Sequence, residues 1–326
     1  MNFLVKEAIL PQEKKRIIAF LKTFDFDYEK NNDLSLYIEQ DEKIIATVSV
    51  ADYIIKNFAI AKEYQGMNLG NFLLSYCFQK LAAKNIVYYQ VYTKPEHKKI
   101  FLDLNFSEII TVNHTCLLET KNFSIRQVLP KIKENYHITT KDNGVIVVNA
   151  NPFTNGHLYL IEQTAKKHEK LLIFVLEEDR STFRFSERFL LVQQGTAHLT
   201  NVVVIPSTKY IISSLTFPTY FLKEDVDKVT EQASVDAQIF VTYFMPIFSI
   251  SKRYVGSETD PVTAKYNLAL KQVLGNRLVE IKRKESAKQP ISASLVRKYY
   301  EKKEFEKIAP LVPETTLAYL KERDHE

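Results

Sequence analysis

The chain has 326 residues, a length that suits two domains. Hydrophobic residues make up 45% and charged residues 25%, as in soluble globular proteins, and no stretch approaches the roughly 20 apolar residues of a membrane span. The net charge of +5 is dispersed, which excludes a nucleic-acid-binding tail and leaves a mild preference for anionic ligands.

The segment MNFLVKEAILPQEKKR is broken by Lys6 and Glu7 before any apolar core develops, so no signal peptide is expected. A helix is expected over 12–24, with strands over 34–39, 43–50 and 53–60. The sequence AKEYQGMNLG then leads into a helix over 71–84, a strand over 86–93, a helix over 96–106 and a strand over 114–120. Cys77 and Cys116 lie in apolar surroundings and read as core thiols of a reducing, cytoplasmic setting. The composition turns polar towards TTKDNG, so the first domain is expected over 1–120 and a connecting helix or linker over 121–143.

A second domain is expected over 144–326, with a cleaner rhythm of short apolar strands and amphipathic helices. Strands are expected over 145–149, 171–177, 201–206, 253–257 and 278–283, with helices near 155–168, 186–199, 261–275 and 291–305. The region 207–250 is less regular and rich in aromatic residues. This alternation predicts a doubly wound parallel sheet, whose ligands bind outside the carboxyl ends of the strands.

At such a strand end stands NPFTNGHLYLIEQTA, residues 151–165. Pro152 restricts Asn151 and stiffens the loop. Gly156 allows close backbone approach at a helix start, where free N–H groups and the helix dipole favour phosphate. His157 in the first helical turn can donate to a phosphate oxygen as charge builds. Later, ISASLVR (291–297) opens another helix after Gln289-Pro290. Ser292 and Ser294 can cap it or donate to anionic oxygen, and Arg297 lies within one turn of the same end. Glycine is scarce, seven of 326 residues against a usual ~7%, yet Gly66, Gly70, Gly156 and Gly256 all fall in phosphate- or nucleotide-suited segments.

Together these two segments resemble the nucleotidylyltransferase superfamily, with its Thr-x-Gly-His turn and Ile-Ser-type helix start. The resemblance implies a Rossmann-like domain in which Thr154 and His157 bind nucleotide phosphates. It likewise implies that Ser292, Ser294 and Arg297 bind the outer phosphates. Gly256, Ser257 and Glu258 in YVGSE would hold the adenosine, and Asn151, Phe153 and Gly156 join the nucleotide-binding set. His157, Arg297 and Thr154 are the residues expected to carry catalysis. In VLEEDRSTFRFSER, Arg180 or Arg188 is expected to face the site and bind the nucleotide, with Arg184 nearby and Ser181 and Phe183 able to line it. Those four segments in this order are similar to the citrate lyase ligase family over essentially the whole chain. That resemblance implies an acid–thiol ligase acting on ATP, acetate and the citrate lyase acyl carrier protein with its CoA-like prosthetic group. Acetyl-adenylate and pyrophosphate would form first, and the acetyl group would then pass to the carrier thiol with release of AMP.

The chemistry suits the residues: acetate is already anionic at neutral pH, so the task is to bring two anions together rather than to remove a proton. Histidines are scattered and no Cys-x-x-Cys spacing occurs, so no protein-ligated metal is expected, and Mg²⁺ would enter with ATP.

In the first domain, Gln65-Gly66-Met67-Asn68-Leu69-Gly70 resembles the acetyl-CoA loop of GNAT-type N-acetyltransferases, implying a GNAT-like mixed α/β domain. Asn68 and Asn105 stand where that family has glycines, and Phe101 where it often has a tyrosine acid; a phenyl ring cannot give a proton. Ordinary acetyl-CoA-dependent transfer is therefore not expected. The loop could dock the carrier's CoA-like arm, or the domain could be structural. Two further readings stand beside the ligase: a stand-alone adenylyltransferase similar to phosphopantetheine adenylyltransferase, and a non-catalytic interaction protein on two degenerate enzyme folds.

Overall fold

Residue alternation builds the first sheet: in the strand Leu34–Gln40, Leu34, Leu36 and Ile38 join the core on one face while Tyr37 packs on the other. The computed structural model describes residues 3–324 except 180, 214–215, 259 and 287–288. The chain divides into two compact units, Met1–Ile125 with Ser214–Val235, and Arg126–Ser213 with Asp236–Glu326.

In chain order the first unit contains β1 (Val5–Glu7), α1 (Pro11–Lys22), β2 (Leu34–Gln40), β3 (Lys43–Ala51) and β4 (Ile54–Ile60). There follow α2 (Leu69–Ala82), β5 (Gln90–Thr93), α3 (Lys98–Asp103), β6 (Phe106–Val112) and β7 (Thr115–Thr120). The sheet order is β1-β2-β3-β4-β5-β7-β6, antiparallel except for β4 with β5. The α2 crossover between these two strands buries Leu73, Leu74 and Cys77, completing a mixed α/β unit. Gly66 (φ 81) and Asn68 (φ 59) shape the turn into α2, and Asn105 takes φ 66. Both asparagines thus keep the left-handed backbone that glycine would supply. Phe101 is buried among Phe58 and Phe106.

β4 and β5 pair only at Ile54–Gln90 and Ile55–Val91. Beyond that, the Tyr220 hydroxyl donates to Tyr92 O at 3.3 Å and accepts the Asn57 backbone N–H. Its segment is anchored by Glu29, which accepts the Thr219 N–H at 2.8 Å, and by edge-to-face contacts of Tyr220 with Phe26 and Phe217 with Tyr92. At its far end, buried Glu231 accepts the His114 N–H and the Thr115 hydroxyl. The sequence reading kept 214–235 within the second domain. β1 and β6 also went unforeseen, because three residues carry no period and β6 alternates with polar Ser107, Glu108 and Thr111.

The second unit runs α4 (Ile125–Asn135, its first residue belonging to the first unit), β8 (Asn143–Val148), α5 (Asn155–Ala165), β9 (Lys170–Val175), α6 (Phe185–Thr196) and β10 (Val202–Pro206). The irregular region resolves into α7 (Lys228–Ile239, its residues up to Val235 belonging to the first unit), a π-helical turn (Phe240–Phe244) and α8 (Met245–Ile247). Then come β11 (Ile250–Gly256), α9 (Pro261–Leu274), β12 (Leu278–Ile281), a ribbon of β13 (Glu285–Ser286) and β14 (Gln289–Pro290), α10 (Ala293–Tyr300), α11 (Phe305–Ile308) and α12 (Glu314–Arg323). Five parallel strands in the order β10-β9-β8-β11-β12 form the doubly wound sheet expected from the sequence. The apolar run of β9 is buried on both faces: Leu171, Ile173 and Val175 join one core cluster, and Phe174 meets Phe244 and Phe248. The order reverses between β8 and β11, so the crevice at their carboxyl ends is the place for a ligand. Among the described residues, no helix is long and apolar enough to cross a membrane.

Candidate active site

β8 delivers the motif to this crevice. After Ala150 (φ 52) comes a cis Asn151–Pro152 peptide, and Thr154 in extended geometry caps α5. The Thr154 backbone N–H donates to His157 Nδ1 at 3.1 Å, and the Thr154 hydroxyl lies 2.9 Å from the same nitrogen. Nδ1 is therefore an acceptor, which assigns the proton to Nε2. Burial, aided by the Arg283 charge, lowers the His157 pKa from 6.5 to about 4, so the ring is a neutral donor at physiological pH.

Phe153 is fully buried, and its ring stacks on His157 at 5.8 Å and 12°. A Cβ on Gly195 would come within 2.5 Å of Phe153 Cε1, so the absence of a side chain there seats the ring. Phe153 thus supports the histidine from the core.

The second helix start meets the first. A Cβ on Gly156 would lie 3.1 Å from Ile291 O, so the α5 and α10 entry loops pack at backbone distance. Ser292 caps α10 by accepting the Leu295 N–H at 3.2 Å. Arg297 donates to Asn151 O and, at 3.2 Å, to the exposed Ser294 hydroxyl. Asn151 Oδ1 accepts the Phe183 N–H at 3.1 Å. Asn151, Thr154, Gly156, His157, Ser292, Ser294 and Arg297 thus converge from sites more than a hundred residues apart in sequence.

At the end of β11, Gly256 O accepts from Asn267 Nδ2 at 3.3 Å, and Ser257 N–H donates to Ile281 O at 2.8 Å. Glu258 forms an ion pair with Arg283; burial raises its pKa while Arg283 opposes the rise. The sequence reading passed over Arg283 by ending a strand on it. A basic pair, Arg283-Lys284, directly behind a strand end was the available signal.

Arg188 is turned inward. It is 0% exposed, and its guanidinium donates to Phe183 O, Asn149 O, Asn149 Oδ1 and Glu178 O. It clamps the loops after β8 and β9. Ser181 bonds Glu178 at 2.5 Å, and Phe183 is buried beneath the Arg323 guanidinium. Arg180 lies outside the described residues.

Two helix N-termini, a neutral imidazole N–H, and the Arg297 and Arg283 cations make a donor set for an extended anion, with no strong base among them. Among the described residues, no group of three or more His, Cys, Asp or Glu could hold a metal ion.

Residues 143–320 match the family described as citrate lyase ligase C-terminal domain. A citrate (pro-3S)-lyase ligase of Escherichia coli (strain K12) is 35% identical over 93% of this chain and 89% of its own length. A phosphopantetheine adenylyltransferase of Clostridium botulinum (strain Alaska E43 / Type E3) is 39% identical over only 20% of this chain and 42% of its own. Among solved structures, an acetyltransferase of the GNAT family from Staphylococcus aureus Mu50 aligns with 36% of this chain and 98% of its own, at 13% identity and a TM-score of 0.32.

Proposed function

The chain belongs to the citrate lyase ligase family, and we propose that it uses ATP to acetylate the acyl carrier protein of citrate lyase. In the first step an acetate oxygen attacks the α-phosphorus of ATP. The new O–P bond replaces the bond to the bridging oxygen, which leaves with its electron pair as pyrophosphate. In the second, the thiolate sulfur of the carrier's CoA-like group attacks the acetyl carbonyl of acetyl-adenylate. The C–S bond forms, the C–O bond breaks, and AMP leaves.

Neither step requires a strong base, so the side chains act by position and charge. The His157 Nε2–H donates to the phosphate oxygens as negative charge builds, and Thr154 keeps that proton on Nε2. The amides at the starts of α5 and α10, with Ser294 and Arg297, hold the triphosphate. For Arg297 this means trading its bond to Asn151 O for a phosphate oxygen. Mg²⁺ carried by the nucleotide would neutralise part of the triphosphate charge and keep most of its waters. The reaction belongs in the cytoplasm, where ATP and a reduced thiol coexist.

The observation that carries this reading is the approach of Gly156 to Ile291 O, which joins two anion-suited helix starts into one site. A phosphopantetheine adenylyltransferase accounts for only 20% of the chain. To test it, the purified chain is incubated with ATP, Mg²⁺, acetate and deacetylated carrier protein. The carrier should gain one acetyl group as AMP accumulates in equal amount. ATP consumed without acetyl carrier, or adenylation of phosphopantetheine instead, would refute the proposal.

A further inference from the structure

Arg283 follows β12 at the sheet edge that holds His157, and several contacts fix where it runs. Its backbone N–H donates to Ser257 Oγ at 3.0 Å. A Cβ on Gly256 would lie 3.6 Å from its Cγ and Nε, so the side chain crosses the end of β11. The next residue's carbonyl, Lys284 O, accepts the Ile291 N–H at 3.3 Å, tying this segment to the residue that abuts Gly156. The charge of Arg283 is also felt at His157.

The two buried arginines of this unit, by contrast, are committed elsewhere. Arg188 holds backbone carbonyls, and Arg253 forms a two-armed bond to Asp236 at 3.0 Å. Among the described residues, the Arg283 guanidinium has one partner, Glu258, through a single arm. Its side chain is 30% exposed, so part of the fork faces solvent at the crevice.

We propose that Arg283 is a catalytic residue that binds the nucleotide's α-phosphate, and that Glu258 holds it in position until the nucleotide arrives. This rests on the adenylation reading, in which Gly256 marks the adenosine end and α10 the outer-phosphate end. The Arg283 side chain crosses the Gly256 end, the next residue is bonded to the α10 entry, and its charge reaches His157, so it stands where the α-phosphate would lie. A planar guanidinium binds phosphate oxygens in pairs, and a polyphosphate outcompetes one carboxylate for it.

Calorimetric titration with AMP and with Mg·ATP separates this role from its rivals. AMP carries only the α-phosphate. Arg283→Gln should therefore weaken both AMP and ATP on the order of 10- to 100-fold, the range of a charge-assisted bond. Arg297→Gln should weaken ATP while sparing AMP, and Arg283→Lys should recover part of the AMP affinity. Melting temperatures of the variants confirm that each is folded. AMP affinity unchanged in folded Arg283→Gln would overturn the assignment. So would normal AMP affinity in the double variant Arg283→Gln/Glu258→Gln, because Arg283 would then serve only to neutralise Glu258. A wild-type chain that binds neither nucleotide would remove the adenylation reading itself, and this inference with it.

Discussion

His157 shows how one residue's surroundings set its chemistry. Burial depresses its pKa from 6.5 to about 4, so the unfolded chain takes up this proton near pH 6.5 and the folded chain only near 4. Its contribution to stability is complete above about pH 6.5 and is lost as the pH falls towards 4. An NMR titration of the ligand-free protein should find the ring neutral throughout pH 5–8, and a midpoint near 6.5 would contradict the enclosure described. Replacing it with alanine removes a donor to developing charge, so kcat should fall about 100- to 1,000-fold. Arg188 illustrates the opposite case. Arg188→Met should lower unfolding stability by about 2–4 kcal/mol in urea titration, because several buried carbonyls lose their donor. The Thr154–His157 turn was legible in sequence because its bonds span three residues. The role of Arg188 was not, because its partners come from two loops that only the folded sheet brings together.

At the scale of elements, the proposed function depends on the α5 and α10 starts meeting at backbone distance. Gly156→Val would place branched carbon against Ile291 O, which cannot move aside as a side-chain tip can. Exchange activity should drop at least about tenfold with the melting point lowered, as expected of overpacking. A variant with wild-type activity would mean that the contact is dispensable. Gly195→Ala would drive a methyl into Phe153 and should cost about 1–3 kcal/mol by urea titration, with some loss of activity through the His157 stack. Each helix start could be read from its own residues, since caps and glycines act locally. Their convergence could not be read from periodicity, because it depends on the β8–β11 switch in strand order.

At the scale of the molecule, the parallel sheet was legible because buried strands read as continuous apolar runs. The segment Ser214–Val235 was not, for it interrupts the second unit in sequence yet packs with the first. There the Tyr220 hydroxyl bridges the parted β4 and β5, and Phe101 has no hydroxyl to donate a proton. Tyr220→Phe should destabilise the first unit by about 1–2 kcal/mol while leaving adenylation intact, and the wild type should not transfer acetyl from acetyl-CoA to amines. Adenylation lost together with Tyr220 would show that the first unit shares in the chemistry of the second.

Activation of acetate as acetyl-adenylate in the α5–α10 crevice is what the proposed function requires first. Its most direct test is ATP–pyrophosphate exchange with Mg²⁺, with and without acetate, in the absence of carrier protein. Exchange that depends on acetate, and is largely abolished in His157→Ala, is the predicted result. Exchange indifferent to acetate but dependent on phosphopantetheine would contradict the account.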